Sequence, residues 1–180
     1  MLTIKHRLLI LLVLALAMAA TRMSHFGSAS LLPDASLAVF LIGGIALQSL
    51  WAFSALMALA FGVDVVSART AVEAGWCLTP AYWGLLPTYG LLWLAGLWLG
   101  RRGRFDLLAA GGVSLVAVCG AFFISNAFWY AWSDTITDLS ATEYAAAVAK
   151  YFPSYLGSAL LYLAPVWLGW KLTRRSSLAA

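Results

Sequence analysis

Five long runs of hydrophobic residues follow one another along the chain, with polar segments between them. The runs cover residues 8–20, 37–63, 81–100, 107–132 and 152–172. A helix that crosses the hydrocarbon core of a bilayer needs about 20 mainly apolar residues. With one crossing to a run, the pattern predicts five membrane-spanning helices.

The positions of the basic residues argue for one more crossing. Lys and Arg accumulate on the cytoplasmic side of membrane proteins. Three basic clusters precede the first run, follow the third and follow the last: Lys5/Arg7, Arg101/Arg102/Arg104 and Lys171/Arg174/Arg175. All three lie on one side of the membrane only if an additional crossing precedes the second cluster.

The extra crossing fits best between residues 33 and 66, a stretch that could hold two short helices of about 16 residues each. A turn near Gln48 would divide them, and Gly43–Gly44 is a second place where the stretch could break. The alternative is one long tilted helix that leaves the second basic cluster outside. We therefore predict an all-α integral membrane protein with six transmembrane helices and both termini in the cytoplasm. Residues 1–180 then form a single transmembrane domain.

The composition supports a membrane protein and narrows its function. Hydrophobic residues make up 63% of the chain, charged residues make up 10%, and the mean hydropathy is +0.90. A soluble domain carries about 25% charged residues. This difference excludes a soluble enzyme and a nucleic-acid-binding protein. The net charge of +4 is therefore interpreted as a determinant of topology and not as a phosphate-binding patch.

The first run is open to two interpretations. Lys5, His6 and Arg7 precede it, and the alanine-rich stretch 15–19 offers small-residue cleavage sites. Both features are also typical of a secretory signal peptide. We expect a retained helix, with a cleaved leader as the alternative.

Small residues spaced four apart form two ladders, Ala15/Ala19 in the first run and Ser54/Ala58/Gly62 in the second. Small residues let helices approach closely within a membrane. The two faces could pack inside the bundle or dock on a separate membrane subunit, and the sequence leaves both interpretations open.

The long connecting segments are expected on the outer side, at residues 22–32, 64–80 and 133–150. In the third of them, Ser140 and Glu143 form a capping box, which predicts a short amphipathic helix through Ala149. Structured outer segments and short inner turns indicate that the functional face looks outward.

Two residues in these outer segments are candidates for ligand contacts. Asp64 follows an apolar run, so it could mark the end of a helix or accept hydrogen bonds from a polar ligand. His25 lies just beyond the first run, where a solvated histidine is the ordinary interpretation. His6 is expected on the opposite face of the membrane, which argues against a haem site with two histidines.

The two cysteines lie in different settings. Cys119 is in the middle of an apolar run, near the predicted midplane of the bilayer, where it is expected to behave as a small buried hydrophobe. Cys77 lies in an outer segment flanked by aromatic residues. It could be incidental, or it could be a soft ligand or a nucleophile. A disulfide between thiols at such different depths is not expected.

Many aromatic residues gather near the predicted outer interface. An aromatic belt at the membrane surface accounts for many of them, and the same side chains could line a cup for a large planar ligand. They are Trp76, Tyr82, Trp83, Trp129, Tyr130, Trp132, Tyr144, Tyr151, Phe152 and Tyr155.

The whole pattern resembles the S-components of energy-coupling-factor (ECF) vitamin transporters, which are six-helix proteins that bind the vitamin from outside. More closely, the full chain resembles the BtuM family of solitary, S-component-like cobalamin transporters of Gram-negative bacteria. The stretches that carry this resemblance are residues 23–27 (MSHFG), residues 32–36 (LPDAS), and Trp76-Cys77 leading to Tyr82.

The resemblance implies that the protein binds cobalamin from the periplasmic side and mediates its uptake across the bacterial inner membrane. It implies that Cys77 ligates the cobalt and that His25, Asp64 and Tyr82 are polar residues around the ligand. Cobalamin would be the transported ligand, and no independent metal is implied. A cobalt-bound thiolate must displace the native base or an upper cyanide, so removal of that cyanide could accompany uptake. Whether such a step makes the protein an enzyme stays open.

The resemblance also implies partners. In ECF transporters the first helix docks on the coupling subunit through an A-x-x-x-A face, which Ala15 and Ala19 match. The lipid bilayer is the other partner. Alternatives are an S-component for another vitamin, a structural subunit of a membrane complex and, last, a membrane redox enzyme. The sequence contains no Walker A motif, so an ATP-driven step would need separate subunits.

Overall fold

The helices account for nearly all of the structure. The computed structural model describes residues 3–22, 32–70, 79–102, 106–133, 136 and 138–176, with side chains for all of these except residues 70 and 173–176. Across these residues the chain forms α-helices and one short 3₁₀ helix, and no strand. The helices are α1 (Ile4–Arg22), α2 (Ser36–Ala46), α3 (Leu50–Thr70), the 3₁₀ helix (Pro80–Gly84), α4 (Leu85–Arg101), α5 (Leu107–Trp132), α6 (Ala141–Ala149) and α7 (Phe152–Ser176).

Three of the helices, α1, α3 and α5, are long and apolar enough to cross a membrane by length and composition. Many of their large apolar side chains face outward, as Leu16 of α1 and Val116 of α5 do. The predicted all-helical fold is therefore confirmed for the described residues, and these three helices are consistent with a membrane protein.

The predicted turn between α2 and α3 is confirmed at Gln48. This residue has a positive φ of 50°, a left-handed conformation that stops a right-handed helix. The interpretation of residues 33–66 as one long helix is therefore wrong. The two helices are also unequal, with 11 residues in α2 and 21 in α3, because α3 continues beyond the predicted boundary to Thr70.

The second predicted break, at Gly43–Gly44, is absent because these glycines serve helix packing. A β-carbon at Gly43 would lie 2.6 Å from the Trp93 ring, and one at Gly44 would overlap the Trp93 carbonyl oxygen. On the facing helix α4, a β-carbon at Gly96 would overlap the carbonyl oxygen of Leu41. Backbone therefore packs directly on backbone, and α2 becomes the buried central helix of the bundle.

The two small-residue ladders have different surroundings. Ala15 is half-buried and packs against the hydrophobic core. Ala19 is also half-buried but is not among the residues that pack against this core. Ser54, Ala58 and Gly62 are exposed on α3, and no atom would meet a β-carbon at Gly62 within 4 Å. Internal packing therefore does not explain the ladder on α3.

The predicted capping box of α6 is confirmed. The Ser140 hydroxyl accepts a hydrogen bond from the Glu143 amide at 3.4 Å, and Glu143 Oε2 accepts one from the Ser140 amide at 2.9 Å. The hydrogen bonds from Ser140 lower the pKa of the Glu143 carboxyl. The Tyr144 hydroxyl donates to Asn126 Oδ1 at 3.1 Å, which attaches α6 to α5.

Candidate ligand-binding cavity

A cavity of about 570 Å³ opens at one end of the helical bundle. Its wall is built where α1, α3 and α5 end and where α2, α4 and α7 begin, so alternate helix directions converge on it. It is lined by Thr21, Arg22, Leu32, Pro33, Asp34, Leu37, Asp64, Ala81, Tyr82, Gly84, Leu85, Thr88, Tyr89, Ser125, Trp129, Tyr151, Ser154, Tyr155 and Ser158. The basic residues of α1, α4 and α7 that mark the predicted cytoplasmic side lie at the other ends of those helices.

A buried ion pair joins α1 to α3 in this wall. Arg22, the last residue of α1, donates from Nε to Asp64 Oδ1 at 2.7 Å and from Nη2 to Asp64 Oδ2 at 2.6 Å. Arg22 is 6% exposed and Asp64 is 4% exposed. Two parallel charge-assisted hydrogen bonds fix both the distance and the orientation of the two groups. The pair therefore holds α1 and α3 together at the cavity end of the bundle.

The remaining nitrogen of the same guanidinium reaches two further elements. Arg22 Nη1 donates to the Tyr89 hydroxyl at 2.7 Å, to Ser36 Oγ at 2.9 Å and, more weakly, to Asp34 Oδ2 at 3.4 Å. Tyr89 belongs to α4, and its ring stacks on Phe40 of α2 with centroids 4.2 Å apart. One arginine thus connects α1, α3, α4 and the start of α2.

Asp64 and Tyr82, both predicted as site residues, lie in direct contact. The Tyr82 hydroxyl donates to Asp64 Oδ2 at 2.8 Å, and both residues line the cavity. Asp64 does not mark the end of a helix, as one interpretation had it, because α3 continues through it to Thr70. The carboxylate is accommodated inside the helix because Arg22 and Tyr82 satisfy its oxygens.

The other side of the cavity carries aromatic rings and hydroxyl groups. Trp129 of α5 and Tyr151 and Tyr155 near the start of α7 line it, as the clustering of aromatic residues suggested. Ser125 and Ser154 also line the cavity. This wall suits a ligand with a flat apolar body and hydrogen-bonding groups at its edge.

Some of the predicted aromatic residues point elsewhere. Trp83 is 74% exposed and Trp132 is 52% exposed, and neither lines the cavity. Their positions at the same end of the bundle fit a belt at a membrane surface.

Cys77 and His25 lie outside the residues that the structure describes, as does Trp76. Along the sequence, residues 23–31 connect Arg22 to Leu32, and residues 71–78 connect α3 to Thr79. Arg22 and Leu32, which flank the first segment, both line the cavity. Their roles stay predictions.

Cys119 is in the middle of α5, as predicted, but it is only half-buried and does not line the cavity. Among the residues described, no group of three or more His, Cys, Asp or Glu side chains could hold a metal ion.

Arg22, Ser36 and Tyr89 were not among the predicted site residues. An arginine that ends an apolar helix is ordinarily a topology marker, and no spacing in the sequence pairs it with Asp64, 42 positions further on. A scan against family models found no match, and a search of curated proteins found no similar sequence.

Proposed function

We propose that this protein is a multi-pass membrane protein that binds cobalamin in the cavity from the outer side and mediates its uptake across the bacterial inner membrane. The observation that carries the proposal is the cavity itself, with an aromatic and hydroxyl-bearing wall facing a buried polar cluster. A corrin is a broad, mostly apolar plate with a fringe of amides, and these two kinds of wall suit its two kinds of surface.

The proposed orientation follows from the charges. The cavity is at one end of the bundle, and Lys5, Arg101 and Lys171 lie at the far ends of helices that border it. Basic residues favour the cytoplasmic side, so the cavity faces outward.

Six crossings then consist of α1, α2, α3, α4 with its 3₁₀ helix, α5 and α7. The helix α2 is too short to span a bilayer by itself at about 1.5 Å per residue, but it is shielded from lipid by its neighbours.

Cys77 is the proposed axial ligand of the cobalt. A thiolate is a soft donor, and coordination to a metal deprotonates a thiol outright. When the thiolate enters the axial position of cyanocobalamin, the cyanide leaves as an anion and the cobalt keeps its oxidation state. Loss of cyanide is thus a ligand exchange that the same site could perform.

The visible spectrum of bound cobalamin tests this assignment. In Cys77→Ser, a largely protonated hydroxyl replaces the thiolate, so we expect the thiolate-bound spectrum to disappear and the affinity to fall at least about tenfold. Cys119→Ser is the matched control, since Cys119 is outside the cavity, and it should keep the wild-type spectrum. A wild-type spectrum and affinity in Cys77→Ser would contradict the cobalt assignment.

A second candidate function is uptake of a smaller vitamin by the same cavity. The volume favours it, because 570 Å³ is ordinary for a drug-sized ligand, whereas cobalamin is considerably larger and would extend beyond the described wall. Competition distinguishes the two candidates. If a smaller vitamin binds in the cavity and excess cobalamin does not displace it, the cavity belongs to that vitamin.

Ala15 and Ala19 are the proposed docking face for an ECF coupling module. Leu at both positions would block close approach of a partner helix. We expect the double substitution to reduce uptake in cells while cobalamin binding in detergent persists. Equal loss of uptake and binding would instead indicate that the two alanines support packing within the bundle.

A further inference from the structure

At the polar end of the cavity, the described residues carry an excess of negative charge. Three charged side chains of this part of the chain line it: Arg22, Asp34 and Asp64. Arg22 has a formal charge of +1, and the two aspartates together have a formal charge of −2. Arg22 and Asp64 satisfy each other through two short hydrogen bonds. Asp34 is therefore the carboxylate without a full counter-charge.

The two oxygens of Asp34 differ in how well they are satisfied. Oδ1 accepts hydrogen bonds from the Ser36 amide at 2.9 Å and from the Ser36 hydroxyl at 2.6 Å. From the described part of the chain, Oδ2 receives one long contact, with Arg22 Nη1 at 3.4 Å. The shorter bonds of Nη1 go to Tyr89 and Ser36. The Asp34 side chain is 22% exposed, and it faces the cavity. A carboxylate oxygen offers about two acceptor sites, so Oδ2 has capacity for a ligand.

The backbone around Asp34 is fixed on both sides. The Pro33 carbonyl accepts a hydrogen bond from the Tyr162 hydroxyl of α7 at 2.5 Å. The Ala35 amide donates to Thr21 Oγ1 of α1 at 3.0 Å. An acceptor held in this way loses little freedom on binding, which favours affinity.

We propose that Asp34 Oδ2 is a specificity-determining acceptor that receives an N–H donor from the ligand, either a primary amide or a cationic nitrogen, and that it disfavours a carboxylate at this end of the cavity. The inference deepens the proposed function, since the amide fringe of a corrin is a donor of this class, but the site would distinguish donors from anions in any ligand. A ligand carboxylate would be repelled by the uncompensated negative charge of Asp34. An N–H donor would instead form a hydrogen bond with Oδ2.

Two independent probe series test the proposal with the full-length protein in detergent. The first compares cobalamin with its monocarboxylates, in which one peripheral amide at a time is hydrolysed. The second compares benzamidinium, benzamide and benzoate at millimolar concentration, because these share one shape and differ in the group presented. We expect at least one monocarboxylate to bind about tenfold or more weakly than cobalamin, and benzoate to bind more weakly than the other two ring compounds.

Asp34→Asn removes the charge, and its side-chain oxygen can still accept from the Ser36 amide. We expect this variant to lose most of the discrimination in both series. Asp34→Ser is a second variant, used if Asp34→Asn folds poorly. Its hydroxyl can also accept a hydrogen bond from the Ser36 amide. Asp106→Asn is the matched control: Asp106 caps the start of α5, about 35 Å along that helix from Trp129, and asparagine is an equally good cap.

The outcomes separate this inference from the proposed function. If cobalamin does not bind but the ring series is discriminated through Asp34, the cobalamin assignment fails and the acceptor stands. If cobalamin binds and neither Asp34 variant changes discrimination in either series, the acceptor fails and the cobalamin assignment stands. Failure of every probe in both series to bind the wild-type protein would overturn the acceptor as well.

Discussion

Arg22 satisfies more of the cavity wall than any other described side chain, and its removal has a predictable consequence. It is the only cation that lines the described wall of the cavity, and it neutralises Asp64 in a place where both are nearly inaccessible to solvent. A buried carboxylate that loses its partner is strongly unfavourable. The cluster therefore stabilises the fold and shapes the cavity with the same atoms.

We predict that Arg22→Ala lowers the free energy of unfolding by about 3–5 kcal/mol, because Asp64 is left buried and unpaired. The double variant Arg22→Met/Asp64→Leu should recover most of this loss, since apolar residues of similar volume can replace a buried ion pair. Thermal unfolding in detergent measures both. Arg69→Ala, at an exposed position of α3, is the control. An unchanged midpoint in Arg22→Ala would show that the ion pair contributes nothing to stability.

At this scale the sequence predicted some of the cluster and missed the rest for a physical reason. Asp64 and Tyr82 were identified separately, and the structure brings them into contact. Tyr89 was missed because a tyrosine in an apolar helix ordinarily packs in the core. Its contact with Arg22 depends on α1 and α4 both packing against α2, and sequence spacing carries no information on that packing.

At the scale of elements, the packing of α2 against α4 explains why a helix of 11 residues can occupy the centre of a membrane protein. Glycines on both helices bring the backbones together, and dispersion contacts rather than the hydrophobic effect drive association within lipid.

The turn at Gln48 was predictable because the only amide in a long apolar stretch marks a site that disfavours lipid. The uneven lengths of α2 and α3 were not predictable, because α3 continues only where Arg22 neutralises Asp64.

We predict that Gly44→Ala destabilises the protein by about 1–3 kcal/mol, because the added methyl group would overlap the backbone of Trp93 and overpacking forces neighbours to shift. Gly62→Ala is the matched control, since it adds the same methyl group where no atom lies within 4 Å. Alanine favours a helix over glycine, so the control should unfold at or above the wild-type temperature. Equal midpoints for the two variants would contradict direct backbone packing between α2 and α4.

At the scale of the whole molecule, the alternation of helix directions brings six helix ends to one cavity. Asp64 and Tyr82, which the resemblance implicates, line this cavity, and the basic residues of α1, α4 and α7 lie at the opposite end of the bundle. Counting the membrane crossings between the basic clusters predicted that these clusters lie at one end. The cavity was not predictable, because its volume depends on how far the helix ends splay, and no hydropathy pattern encodes that distance.

The arrangement makes a direct prediction about which ends of the helices face outward. In a background without native cysteines, Ala146→Cys on α6 presents an exposed thiol beside the cavity end of the bundle. Leu50→Cys presents one at the α2–α3 turn, where Leu50 is 78% exposed. With a membrane-impermeant maleimide, we expect Ala146→Cys to be labelled in intact spheroplasts. We expect Leu50→Cys to be labelled only after the membrane is permeabilised, because the proposed topology places the turn on the basic, cytoplasmic side. Labelling of Leu50→Cys in intact spheroplasts would contradict both the six-crossing topology and the outward orientation of the cavity.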